Sequence, residues 1–429
     1  MNQGEYNNDN LSRRIISAAT LAALAALSVA SFSLPAAAEE PLKIGFSMAE
    51  TGPLAGTGKS ALLAMTMWAE DINAKGGLLG RQVKLVHYDD QSNPANVPAI
   101  YAKLLDIDKV DLINSGYGTP LIAATIPLAM QHDMVLIGLF GLANNAKFKY
   151  DKFFGIFPAG EKPALTIMQP FFDAAMTMNP KPKTVAAVYP EMEFGHAIMN
   201  GIKAAASAAG LQIVYNQGFP PSMTDLTTVV RQIQAMNPDI VAIGTQPGQS
   251  IAIVRAISEV GLKAMIVGGG MTGLQTPDAE GLLGEQLNGF VNFNIWLPAP
   301  KMQYPGVMDF LKRYQERAKA AGVDPIGYYM APWAYADLQI LGQAVEATKS
   351  TAGDKLGPYM HETTFKTLIG DVKFGESGEW ANPRMLAAQF QHVKGNDIEQ
   401  FKGTDKLIVL SPAEYKSGDL IYPFQDARH

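Results

Sequence analysis

From residue 42 onward the chain alternates short runs of apolar and β-branched residues with longer stretches of helical periodicity, and it does so in two successive series. No other feature constrains the fold as strongly. In the first series, residues 42–47, 82–88, 110–114 and 134–140 read as strands, separated by helices at about 58–75, 93–106 and 119–131. Leu62, Met65, Ala69 and Ile72 fall at helical spacing and mark a buried stripe. A strand–helix–strand order forces right-handed crossovers and a parallel sheet covered on both faces. The second series follows Phe157-Pro158, with strands at 184–189, 212–216, 240–244 and 264–267. Helices at 162–178, 194–209, 226–236 and 249–260 lie among them. Pro180, Pro182 and Pro238 punctuate strand entries. The expected fold class is α/β, with two doubly wound parallel-sheet lobes. The chain beyond Phe293 offers helices at 307–321 and 329–348 and a tail of short strands, too little for a third sheet. It is expected to complete the first two.

Composition decides which partners remain open. Among 429 residues, 34 Lys and Arg face 40 Asp and Glu, a net charge of −6, and 48% are hydrophobic. That balance builds a large core and lacks the basic footprint of a nucleic-acid surface. With no cysteine, disulfides, thiolate metal sites and cysteine nucleophiles are excluded. Residues 1–38 read as a cleavable export signal: Arg13 and Arg14, an apolar run from Ile15 to Leu34, then Ala36-Ala37-Ala38 before Glu39. An uncleaved anchor is the competing reading. Ser12-Arg13-Arg14 also resembles a twin-arginine signal. No second apolar run of about 18 residues follows, so the mature chain is expected in the periplasm and outside the membrane.

The candidate chemistry is thin. Gly52 to Ser60 approaches a phosphate-binding P-loop but misses its spacing by one residue and places Pro53, which has no N–H, where a donor is required. The reading preferred is a strand-to-helix turn. The six histidines are scattered, so no metal site is expected. Glu191 and Glu193 could act as paired carboxylates, but a solvated loop near a helix start fits them better. No nucleophile elbow occurs. A stronger signal lies past the carboxyl ends of the predicted strands, where open α/β sheets bind ligands. Thr119 suits an N-cap and Pro120 the first helical position after Ser115-Gly116-Tyr117-Gly118. Such a helix start is either a purely structural cap, the preferred reading when it is taken alone, or a seat for a carboxylate or another polar oxygen, which the coincidence of several such turns favours. Thr57, Phe140, Gly141, Phe194, Gln246, Gly270 and Met271 fall at comparable rim positions.

Several stretches resemble the solute-binding proteins of branched-chain amino-acid-type ABC transporters. They are Lys43-Ile-Gly-Phe-Ser with Thr51-Gly-Pro-Leu, Asp71 through Arg81, Tyr88-Asp-Asp-Gln-Ser-Asn-Pro94, Glu193-Phe-Gly195, Asn237-Pro-Asp-Ile-Val241 and Val260-Gly-Leu262. The resemblance spans roughly residues 42–425. It implies the type I periplasmic binding fold, with three crossover segments near Phe157-Pro158, 293–297 and 371–374. The lobes would then be 39–157 with 294–371, and 158–293 with 372–429. It further implies a monomer without cofactor or metal that closes on a small solute and presents it to a membrane permease. Thr119 would meet the ligand carboxylate. Thr57 and Phe194 would form aromatic-wall positions with Gln246 beside them, and Tyr117, Gly118, Phe140, Gly141, Gly270 and Met271 would complete the site.

One departure shapes the expected ligand. Family members that bind α-amino acids carry an acid in the turn after the strand matching 264–267, and here Gly268-Gly269-Gly270-Met271 stands there. An enclosed ammonium without a counter-charge is strongly disfavoured, so the expected ligand is an organic or aromatic carboxylate or an amide. A sensory protein of the same fold is the alternative, and an exported enzyme using Glu191 and Glu193 is a third reading.

Overall fold

The computed structural model describes residue 1 and residues 39–142 and 145–428. The export signal expected at 1–38 lies outside the described residues. From Pro41 the chain forms a single contact unit, built as α/β lobes around two separate sheet systems.

In the first lobe, β1 (Leu42–Met48) lies between β2 (Val83–Asp89) and β3 (Leu112–Ile113), all parallel. Next come β4 (Leu136–Gly138) and β5 (Phe153–Gly155), a parallel pair that the sequence reading truncated, since it lacked β5. The two pieces are stitched together through Ser115 and through a Tyr117–Leu139 bridge. The Ser115 N–H donates to the Ile137 carbonyl at 3.2 Å, and the Leu139 N–H donates to the Ser115 hydroxyl at 2.7 Å. The near P-loop is a helix start: the Ala55–Asn73 helix already includes Gly58, whose N–H donates to the Leu54 carbonyl.

In the second lobe, β6 (Thr184–Pro190), β7 (Gln212–Phe219), β8 (Ile240–Thr245), β9 (Ile266–Met271) and β10 (Phe290–Asn294) form a parallel sheet. β8, β9 and β10 are buried along their whole length, which explains the largely apolar or glycine text of β8 and β9. The sheet order reverses at β6, so right-handed crossovers put the Glu193–Ala208 helix on one face and the Thr227–Met236 and Pro247–Val260 helices on the other.

The tail divides between the lobes. The Val307–Ala321 and Ala331–Thr348 helices pack on the Ala55–Asn73 helix. Arg313 donates both terminal nitrogens to Asp71 at 2.9 and 2.8 Å, the Tyr335 hydroxyl adds a third bond at 2.8 Å, and the guanidinium holds the Asp71 carboxyl below its ordinary value. β11 (Thr364–Thr367) and β12 (Gly370–Lys373) form a separate antiparallel hairpin. β13 (Leu386–Phe390) and β14 (Leu407–Ser411) extend the second sheet to seven strands. That sheet is not wholly parallel, because β13 runs antiparallel to both its neighbours.

Candidate ligand-binding site

The strands of both lobes end around one small, partly open cavity of about 50 Å³. From the first lobe it is lined by Tyr117, Gly118, Thr119, Phe140, Gly141 and Tyr329, and from the second by Phe194, Gln246, Thr272 and Phe293, with Leu54, Leu142, Phe157, Ile167 and two prolines closing the gaps.

Local structure fixes the first-lobe wall. Gly118 adopts φ of +106°, a conformation suited to glycine, and this turns the chain into the Thr119–Gln131 helix. The Thr119 hydroxyl accepts the Leu142 N–H at 2.8 Å, tying the helix start to the loop that carries Phe140. Phe140 itself sits at φ +49°, unusual for a bulky residue and the sort of strain that concentrates at ligand sites. Its ring lies 5.0 Å from Phe157, 5.5 Å from Tyr329 and 5.3 Å from Trp333. The Tyr117 and Tyr329 hydroxyls meet at 3.1 Å. Burial raises both phenols above their ordinary value, so they are neutral.

Among the described residues, no lysine, arginine, histidine, aspartate or glutamate lines this cavity. Its field comes from backbone. The helices Thr119–Gln131, Glu193–Ala208 and Pro247–Val260 all begin at its wall, from both lobes. Each start presents the positive end of a helix dipole, although Pro120 and Pro247 leave two of them without one N–H donor. Gln246 caps the third, exchanging bonds with Gln249 in a capping box. Glu193, exposed in the first turn of the second, offsets part of that field.

Three expected residues stand elsewhere. Thr57 lies in the Ala55–Asn73 helix and lines an adjoining cleft, although Tyr117 is within its hydrogen-bonding reach. Gly270 and Met271 belong to β9 and do not line the cavity. The glycine run is therefore strand, not turn, and its cause is close packing: a Cβ on Gly268 would sit 1.7 Å from the Val291 carbonyl oxygen of β10. Asn292 clamps Met271 through both its N–H (3.0 Å) and its carbonyl (2.9 Å). The turn proper begins at Thr272, which does line the cavity and is not an acid. Tyr329 and Phe293, invisible to the sequence reading, enter from the tail and from β10.

The remaining candidates form no catalytic or metal centre. Glu191 pairs with His196 at 2.7 Å on the surface. No group of three potential metal ligands occurs among the described residues, and no described helix is long and apolar enough to cross a membrane.

The profile of the periplasmic binding protein family matches residues 41–396. A leucine-, isoleucine-, valine-, threonine- and alanine-binding protein of Pseudomonas aeruginosa is 23% identical over 360 residues, covering 83% of this chain and 92% of its own. Among solved structures, the solute-binding protein of an ABC transporter from Rhodopseudomonas palustris in complex with 3,4-dihydroxybenzoic acid is 20% identical. It superposes with a TM-score of 0.70 over 83% of this chain and 95% of its own. A branched-chain amino acid transporter substrate-binding protein from Streptococcus pneumoniae, in complex with isoleucine, is 16% identical, with a TM-score of 0.69 over 90% and 100%. The fold of two sheet lobes, the cavity where their strands end and the profile match agree: the chain belongs to the periplasmic binding protein family, among the non-enzymatic substrate-binding components of the branched-chain amino-acid type.

Proposed function

We propose that the protein is exported by residues 1–38, works in the periplasm as a monomer, and captures a small carboxylate that lacks a free α-ammonium for delivery to an ABC transporter permease. The lobes are 39–157 with 294–371 and 158–293 with 372–429, and they close by hinge motion on the crossover segments. The observation that carries the ligand class is the neutral cavity onto which three helix N-termini converge. Positive helix ends favour an anion. The same field, with no carboxylate to oppose it, disfavours an ammonium, whose uncompensated burial costs several kcal/mol. Phe140, Phe157, Phe194, Phe293 and Tyr329 supply apolar and aromatic walls for the ligand body. The relative that binds branched-chain amino acids and the neighbour that holds a dihydroxybenzoate mark the two ends of the family range, and the cavity's chemistry sides with the second.

Calorimetry of the purified protein against benzoate, 4-hydroxybenzoate, leucine and valine tests the reading. Expected is a dissociation constant near the micromolar scale, about −8 kcal/mol, for at least one aromatic acid, with the amino acids at least a hundredfold weaker. Tight leucine binding would refute it.

A further inference from the structure

Segments beside the three lobe crossovers converge on a single residue. Arg384 lies between β12 of the first lobe and β13 of the second. Its backbone N–H donates to the Pro158 carbonyl, in the first crossover, at 2.8 Å. One terminal guanidinium nitrogen donates to the Tyr304 hydroxyl, just past the second crossover, at 2.7 Å, and the other to the Ile369 carbonyl, at the turn of the β11–β12 hairpin, also at 2.7 Å. The guanidinium carbon lies 4.9 Å from the Tyr304 ring centre, 5.4 Å from Trp380 and 5.9 Å from Trp333. Aromatic faces and neutral oxygens hold this cation, with no carboxylate in ion-pair range among the described residues.

Two further features point the same way. The Arg384 Nε, the Trp333 Nε1 and the Trp380 Nε1 are all buried without a hydrogen-bond partner. Three orphaned donors, with the two indole rings only 5.8 Å apart, are a rare concentration in a folded protein. In addition, Trp333 packs at 5.3 Å on Phe140, which lines the ligand cavity. The hub is thus one ring removed from the ligand.

We propose that Arg384 is the positioning residue that couples occupancy of the cavity to the setting of the two lobes. Its bonds tie together segments beside the three crossovers, and the Trp333–Phe140 contact reports whether the cavity is filled. The unspent donors weigh against closure, because segments that part admit water to them. Arg384 and Tyr304 hold the lobes closed, the orphaned N–H groups push them open, and the ligand tips a poised equilibrium. This inference rests on capture by lobe closure.

The absence of cysteine makes a direct test available. Nitroxide labels at Ala95→Cys and Ser222→Cys, exposed sites on different lobes, report the interlobe separation by pulsed electron resonance, with and without benzoate. The otherwise unmodified labelled protein is expected to show two separations, the shorter enriched by benzoate. Tyr304→Phe and Arg384→Lys are each expected to lower the closed-to-open ratio at least threefold without ligand. Trp380→Phe, which deletes an orphaned donor and keeps a ring, is expected to raise it. A purely structural role would lower melting temperature in all three and move no ratio in opposite directions. Unchanged distributions in Tyr304→Phe and Trp380→Phe would overturn the inference while leaving capture by closure intact. A single separation in the otherwise unmodified protein, with or without benzoate, would overturn closure itself and this inference with it.

Discussion

Two neighbouring spaces between the lobes share Tyr329 and Pro247 yet are chemically opposite. The ligand cavity has no charged side chain among the described residues and has three helix N-termini at its wall. The cleft beside it is roomier, with a volume of about 600 Å³, and is lined by Asp278 and Asp324. Glu280, only 5% exposed, stands next to them on the Pro277–Leu283 helix. Burial raises the Glu280 carboxyl well above its ordinary value and Asp324 to about 6, with Asp324 acting on the first and Asp278 on the second. The contrast teaches where selectivity resides. Acids exist within a few residues of the ligand site, but they are kept out of the cavity wall, so its neutrality is a property of that wall and not of the region.

The strongest way to break the contrast is to carry an acid across it. Thr272→Glu places a carboxylate in the cavity wall, and calorimetry is expected to show at least a hundredfold loss of aromatic-acid binding. An unchanged affinity would mean that the ligand sits elsewhere.

Next in size is Thr119. Losing a hydroxyl that serves an anion costs about 1.5 kcal/mol, near tenfold in affinity. Thr119→Ala also strands the Leu142 N–H it now accepts, so some thermal stability goes with it. Thr119→Ser is expected to restore both, and binding at parental strength in Thr119→Ala would remove the residue from the site.

The acidic cleft is expected to show itself in stability. Asp324 keeps its proton to about pH 6 when folded, against an ordinary value of 3.8. Its contribution is therefore fully present below about pH 4 and is lost as pH rises through 6. Asp324→Asn is expected to raise the melting temperature by a few degrees at pH 7.5 and to leave it nearly unchanged at pH 4; equal shifts at both would contradict this. The smallest effect is expected of Glu193→Gln, which removes an exposed carboxylate from a helix start facing the cavity. Anion binding should strengthen less than threefold, and the gain should vanish in high salt.

The periodic parts of this molecule were legible in its sequence. The Thr119–Gln131 and Val307–Ala321 helices match their predicted limits, because caps and apolar stripes are local signals. The strand ends were less so. β9 runs through Gly268–Met271 because β10 and the Met168 side chain press on its backbone, and glycine reads as a turn when that pressure is unseen. Within the site, Tyr117, Gly118, Thr119, Phe140, Gly141, Phe194 and Gln246 do line one cavity, since each follows a strand whose place the alternation had set. Tyr329 had no such signal. It precedes a helix in the tail, and only the packing of that helix on Ala55–Asn73 carries it back to Tyr117. The three-way junction at Arg384 was equally hidden, being made of carbonyls and rings from segments far apart in sequence.

The central claim is that a neutral cavity fed by helix N-termini accepts a carboxylate and rejects an α-ammonium. Leucine and 4-methylpentanoate differ only in that ammonium, so their dissociation constants, measured side by side by calorimetry on protein freed of retained ligand, test it most directly. The account predicts that 4-methylpentanoate binds at least a hundredfold more tightly than leucine, and leucine binding equally or more tightly would contradict it.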